Sequence, residues 1–115
     1  MKFTSTLKKN YEFHRLYNKG KSAVTPYLVV YARATRRPGN RVGITVSTKL
    51  GKAVKRNRVR RRLREIYRLN ESRFVPGTEL VIVARGRAVT AAYRQLETAF
   101  LSACGKLGIL TEETP

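Results

Sequence analysis

Hydrophobic and polar positions alternate along the chain in two different rhythms. From Asn10 to Asn18 the rhythm is helical: Phe13, Leu16 and Tyr17 share a face, Asn10 is placed to cap the helix, and Gly20 ends it. From Tyr27 to Thr35 the rhythm becomes that of a strand, with Tyr27, Val29 and Tyr31 alternating with Leu28, Val30 and Ala32. Residues 36–40 (RRPGN) read as a hairpin loop into a second strand. That strand has Val42, Ile44 and Val46 on one face and Gly43, Thr45 and Ser47 on the other. Lys52 to Leu69 predicts a helix of about five turns whose apolar stripe is Val59, Leu63, Ile66 and Tyr67. After a break at Pro76-Gly77, Glu79 to Arg85 is a strand. A last helix from about Ala91 to Leu107, capped at Thr90, buries Tyr93, Leu96, Phe100, Cys104 and Leu107. The order α, two or three strands, α, β, α describes a small α+β sandwich with helices packed on one sheet.

At 115 residues the chain is one domain, residues 1–115, with a loose tail at about 111–115. Charge changes the picture most. Twenty-five Lys and Arg against seven acids leave +18, a self-repulsion that nucleic acid is suited to relieve. A membrane surface is the rival polyanion. It would call for an anchor or a long apolar span, and the longest apolar run, Leu80 to Ala84, falls far short of the roughly 20 residues of a spanning helix. With no apolar stretch after the basic N-terminus, the expectation is a soluble, cytoplasmic protein with no membrane contact.

Composition also limits the chemistry. All seven acids are glutamates and the chain has no aspartate, which disfavours carboxylate-clustered metal nucleases. A lone cysteine (Cys104) and a lone histidine (His14) leave no disulfide framework, zinc site or Ser–His–Asp arrangement. The expectation is no catalytic residue and no metal ligand in the chain itself.

Nine basic residues crowd into positions 52–68: Lys52, Lys55, Arg56, Arg58, Arg60, Arg61, Arg62, Arg64 and Arg68, opposed only by Glu65. Pairs such as Arg56–Arg60 and Arg60–Arg64 repel along the helix, a cost that phosphate binding offsets. Arg predominates, and its planar fork suits bidentate phosphate contacts. Neutralising about 5 to 8 phosphates would give a log–log salt slope of roughly −4 to −7. The aromatics Phe13, Tyr17 and Tyr31 are compatible with core packing. Beside a basic helix they are equally compatible with a platform for unpaired bases. Spacing alone does not bring the two sets into one cleft. His14 has no partner for acid–base work and is assigned no role.

The stretch VSTKLGKAVKRNRVRRRLREIYR, Val46 to Arg68, resembles the signature of the bacterial ribonuclease P protein component, with Arg56-Asn57-Arg58 as its arginine–asparagine–arginine centre. LKKNYEFHRLYNKG (residues 7–20), RVGITVS (41–47) and LVIVARGRA (80–88) extend the similarity over nearly the whole chain. The resemblance implies a two-layer α/β sandwich like the second domain of ribosomal protein S5, order αβββαβα, with a left-handed βαβ crossover where ordinary topology would be right-handed. It implies the protein subunit of a ribonucleoprotein that removes the 5′ leader of precursor tRNA, with water as nucleophile and Mg²⁺ held mainly by the RNA subunit. The partners implied are that catalytic RNA and precursor tRNA, with no protein partner required.

By position, the resemblance makes Lys52, Arg56, Asn57, Arg58, Arg60, Arg61 and Arg64 contacts to the catalytic RNA. Asn57 could equally make a helix-local hydrogen bond. Phe13, Tyr17, Tyr31, Ser47 and Lys49 correspond to the cleft for the single-stranded leader. Thr48 stands where relatives often have Lys, and Arg62 where they often have an apolar residue. The alternative is a structural RNA-binding protein, ribosomal or of ribosome assembly, with no role in cleavage. A protein-only nuclease and a double-stranded DNA binder are more distant, the latter for want of a helix-turn-helix or zinc spacing.

Overall fold

A computed structural model describes residues 3–111. Five strands, β1 (Thr4–Thr6), β2 (Lys21–Val24), β3 (Leu28–Ala34), β4 (Asn40–Thr45) and β5 (Thr78–Ala84), form one sheet in the order β1-β4-β5-β3-β2. Three helices complete it: α1 (Asn10–Lys19), α2 (Ala53–Asn70) and α3 (Tyr93–Leu107). The α+β sandwich and its αβββαβα order are present, preceded by the short edge strand β1, which the sequence pattern did not suggest.

The expected hairpin between β3 and β4 does not form. Strand β5 inserts between them, antiparallel to β3 and parallel to β4, so residues 36–40 bridge two strands that are not neighbours. Periodicity finds strands but not their partners, and β5, with Leu80, Val81 and Ile82 fully buried and Thr78 and Glu79 nearly so, is the central strand that both others need. Helix α2 then carries the chain from β4 to its parallel neighbour β5.

Strand alternation divides the core. Leu28, Val30, Val42, Leu80 and Ile82 face α2 and α3, meeting Val59, Leu63, Ile66, Tyr67, Leu96 and Phe100. All four residues of the expected α2 stripe are buried. Fully burying each such side chain contributes roughly 1.5–3 kcal/mol. Tyr93 and Leu107, expected on the apolar face of α3, lie at its margin, half-buried. The odd-numbered residues of β3 and β5 face the other way, where α1 closes a smaller cluster of Leu7, Leu16 and Val81. Tyr27 does not join Val29 and Tyr31 on that side: it precedes β3 and packs against the α2/α3 core.

Two helix starts differ from expectation, while α1 ends at Gly20 as expected. Lys9, not Asn10, occupies the cap of α1, where the Glu12 carboxylate accepts the backbone N–H of Lys8 and Lys9 at 3.2 and 3.1 Å. Gln95 does the same for Ala92, moving the start of α3 past Thr90. Gly20 ends α1 through close approach, since a Cβ there would stand 2.6 Å from the Leu16 carbonyl oxygen. At the C-terminal end, Thr111 is tied to the Arg73 carbonyl by its N–H and hydroxyl; the rest of the expected loose tail lies outside the described residues. No helix among the described residues is long and apolar enough to cross a membrane.

Candidate nucleic-acid interface

Register places the sheet face under α1 in three cross-strand rows. The first is Arg41, Glu79 and Arg33; the second Gly43, Val81 and Tyr31; the third Thr45, Val83 and Val29. Helix α1 runs over them. Phe13 lies on Gly43, Leu16 is fully buried against the second row, and Tyr17 reaches the third, its hydroxyl 3.4 Å from Thr45 Oγ1. The Tyr17 and Tyr31 rings meet edge-on with centroids 5.0 Å apart. Phe13, Tyr17 and Tyr31 thus pack, half-buried, against one apolar cluster between α1 and the sheet. Beyond the tyrosines the third row stays half-exposed and continues to Val24 of β2, an exposed apolar edge residue.

Ser47 and Lys49 stand apart from these rings. Both are exposed in the turn between β4 and α2, where the Ser47 hydroxyl accepts the Lys49 backbone N–H at 3.2 Å. They continue the line of β4 two and four residues past Thr45. Thr45, Val83 and Val29 were not singled out from sequence. Their signal is strand parity: each lies two positions along its strand from a residue that faces α1.

Helix α2 sorts its cations by angle, since side chains 3.6 residues apart share a side. Arg56, Arg60 and Arg64 form a stripe on the flank nearer α1, and Arg60 and Arg64 line a cavity of about 90 Å³ together with Thr6, Leu7 and Phe13. Arg61 rides the outward crest, and Arg58 falls on its far side. Lys52, at the cap position, is exposed ahead of the first turn. Local bonds aim several of these groups. Arg60 Nη1 donates to Asn57 Oδ1 at 3.0 Å, and Arg56 Nε donates to the Gly51 carbonyl at 3.1 Å. Asn57 therefore does make a helix-local bond, one that orients an arginine of the stripe. Arg62 turns to the opposite flank and donates to the Ala91 carbonyl at 3.1 Å, so it fastens α2 to the segment before α3. Arg68 pairs with Glu65 at 2.6 Å, which holds the Glu65 carboxyl below its usual range and neutralises this end of the crest.

Cys104 is fully buried in the α3 core, where burial pushes its thiol well up. His14 is exposed and meets Tyr17 edge-on at 6.2 Å. The basic helix and the half-buried tyrosines beside it offer surfaces suited to phosphates and to bases.

The ribonuclease P family model matches residues 1–108. The chain belongs to the ribonuclease P protein component family. It is 40% identical over 110 residues to the ribonuclease P protein component of Alkaliphilus oremlandii, covering 96% of both chains. Identity to the Clostridioides difficile component is 42% over 95 residues, 82% of this chain and 83% of the relative. The fold agrees with the RNase P protein of Staphylococcus aureus at a TM-score of 0.84 and 30% identity, covering 92% of this chain and 97% of that one. Members of this family are the protein subunit of bacterial ribonuclease P, the endoribonuclease that matures tRNA at its 5′ end. A purely structural RNA binder is thereby set aside.

Proposed function

We propose that the chain divides RNA between two surfaces: the α2 stripe holds the catalytic RNA subunit, and the cleft under α1 holds the single-stranded 5′ leader of precursor tRNA. The observation that carries the second part is the convergence of Tyr17 and Tyr31 beside a half-exposed apolar row. A leader strand laid there stacks bases on tyrosine rings whose polar edges stay wet. Its backbone then exits past Ser47 and Lys49 toward Lys52. On the other surface, Lys52, Arg56, Arg60, Arg61 and Arg64 offer phosphates a set of cations, with Arg56 oriented by the Gly51 carbonyl and Arg60 by Asn57, and Arg58 extends the set over the crest.

The chain's own donors do not suit Mg²⁺. Glu12 and Glu79 are ion-paired with arginines, and among the described residues no three of His, Cys, Asp or Glu come together. The ion belongs with the RNA subunit, and the chain's contribution is to bind, orient and neutralise.

The test is the affinity of holoenzyme for precursor and mature tRNA. Tyr31→Ala is expected to weaken precursor binding about 5- to 150-fold, one stacked base, and to leave mature tRNA unchanged. Equal losses for both would remove the leader from this cleft.

A further inference from the structure

The first cross-strand row under α1 contains no aromatic and no free cation, yet together with Glu12 of α1 above it, it gathers two of the few acids of a strongly basic chain. Arg41 of β4 reaches the Glu12 carboxylate of α1 and lies 3.7 Å from Glu79 of β5; Arg33 of β3 meets the other oxygen of Glu79 at 3.1 Å. Glu12 and Glu79 are buried and Arg33 and Arg41 half-buried, so the row Arg33–Glu79–Arg41–Glu12 is a neutral chain of charges crossing three strands and ending on a helix. Its last member also accepts the backbone N–H groups of Lys8 and Lys9. Arg41 therefore fixes the first turn of α1 to the sheet.

The next row sets the height of the helix. A Cβ at Gly43 would stand 2.6 and 2.8 Å from ring carbons of Phe13 and 3.3 Å from Leu7 Cβ, so any side chain there must lift the ring. Phe13 rests on bare backbone, and one turn later Tyr17 meets Tyr31 and Thr45.

We infer that Arg41 and Gly43 are positioning residues for leader recognition: Arg41 anchors the start of α1 through Glu12, Gly43 seats Phe13, and together they hold Tyr17 at the spacing from Tyr31 that admits a base. Neither touches RNA in this arrangement, since Gly43 lies beneath Phe13 and the Arg41 guanidinium is spent on two carboxylates. The inference rests on the leader-cleft reading above. It adds that cleft geometry, and with it preference for precursor, is set from the opposite end of the helix.

The experiment measures Kd for precursor and mature tRNA with holoenzyme containing Arg41→Gln, Arg41→Lys, Gly43→Ala or Tyr31→Ala, together with affinity for the RNA subunit. Arg41→Gln and Gly43→Ala are expected to lower the precursor preference at least about fivefold, the size of one weakly stacked base, with mature tRNA and RNA-subunit affinities unchanged. Arg41→Lys keeps the charge and is expected to recover most of the preference. Equal weakening of both tRNAs, or an unchanged ratio in both variants, would overturn the inference. If Arg41→Gln does not fold, the isosteric Glu12→Gln opens the same clamp and is read by the same criteria. Tyr31→Ala separates the two proposals. A Tyr31 variant with unchanged preference removes the leader cleft itself. A Tyr31 effect without an Arg41 or Gly43 effect removes only the positioning role.

Discussion

Replacing Arg60 and Arg61 together by alanine removes one cation from the α1-side stripe of α2 and one from its crest. Both are solvent-facing enough to meet phosphate, and neither is consumed by an acid. The structure reduces the cations available to one RNA backbone strand. Arg62 is turned away to Ala91, Arg68 is neutralised by Glu65, and Lys55 and Arg58 lie across the crest. Lys52, Arg56, Arg60, Arg61 and Arg64 remain, and about five phosphates at −0.9 each give a log–log salt slope of about −4.5 on duplex-like RNA. Losing two contacts brings the slope to about −2.7. On counterion release alone, the variant then binds the RNA subunit about 200-fold more weakly at 50 mM monovalent salt but only about 30-fold more weakly at 150 mM. The assay is a titration of labelled RNA subunit at fixed Mg²⁺ across that salt range, for the wild-type and variant proteins. A deficit that does not shrink with salt, or a slope that stays near its original value, would refute the assignment of these arginines to phosphate.

Other perturbations address the scaffold. The Glu12 carboxyl is held at about 2, chiefly by the Lys9 backbone N–H and further by Lys8 and Arg41, against the cost of burial. Because this value is depressed, its contribution of about 3 kcal/mol is present at neutral pH and is lost as pH falls from about 4.5 toward 2. Glu12→Gln should lower stability at pH 7 and flatten that acid limb of a urea-denaturation series; an unchanged limb would contradict the role given to Glu12. Leu63→Ala empties a fully buried site between α2 and the sheet and should cost about 2–5 kcal/mol by the same denaturation. A cost under about 1 kcal/mol would mean that α2 does not depend on this packing.

The sequence carried much of this architecture because its signals are local. The Val59–Leu63–Ile66–Tyr67 stripe locates α2 and its buried side, and the alternation through Tyr31 tells which strand residues accompany it. Sheet order was not legible, because pairing of β5 with both β3 and β4 is a non-local choice that alternation does not encode. The pattern 36–40 looked like a hairpin for that reason. Helix caps misled in a different way: Asn10 and Thr90 have good capping side chains, but Glu12 and Gln95 reach back one turn and satisfy the same N–H groups from positions inside the helix. Within the site, residue types suggested aromatics and arginines. The silent members, Gly43, Thr45 and Val83, could be found only once register put them beside Phe13 and Tyr17. Arg41 and Glu12 were hidden more deeply, as two charges in a chain full of charge until the strands lined up.

The measurement closest to the central claim is cleavage of a precursor tRNA at low Mg²⁺ by a bacterial RNase P RNA, with and without this protein, alongside the protein alone. The protein with RNA is expected to restore cleavage at the mature 5′ end, while the protein alone leaves the precursor intact. Cleavage by the protein alone, or a rate with RNA that the protein does not raise, would contradict a subunit that binds and positions RNA while the RNA performs the chemistry.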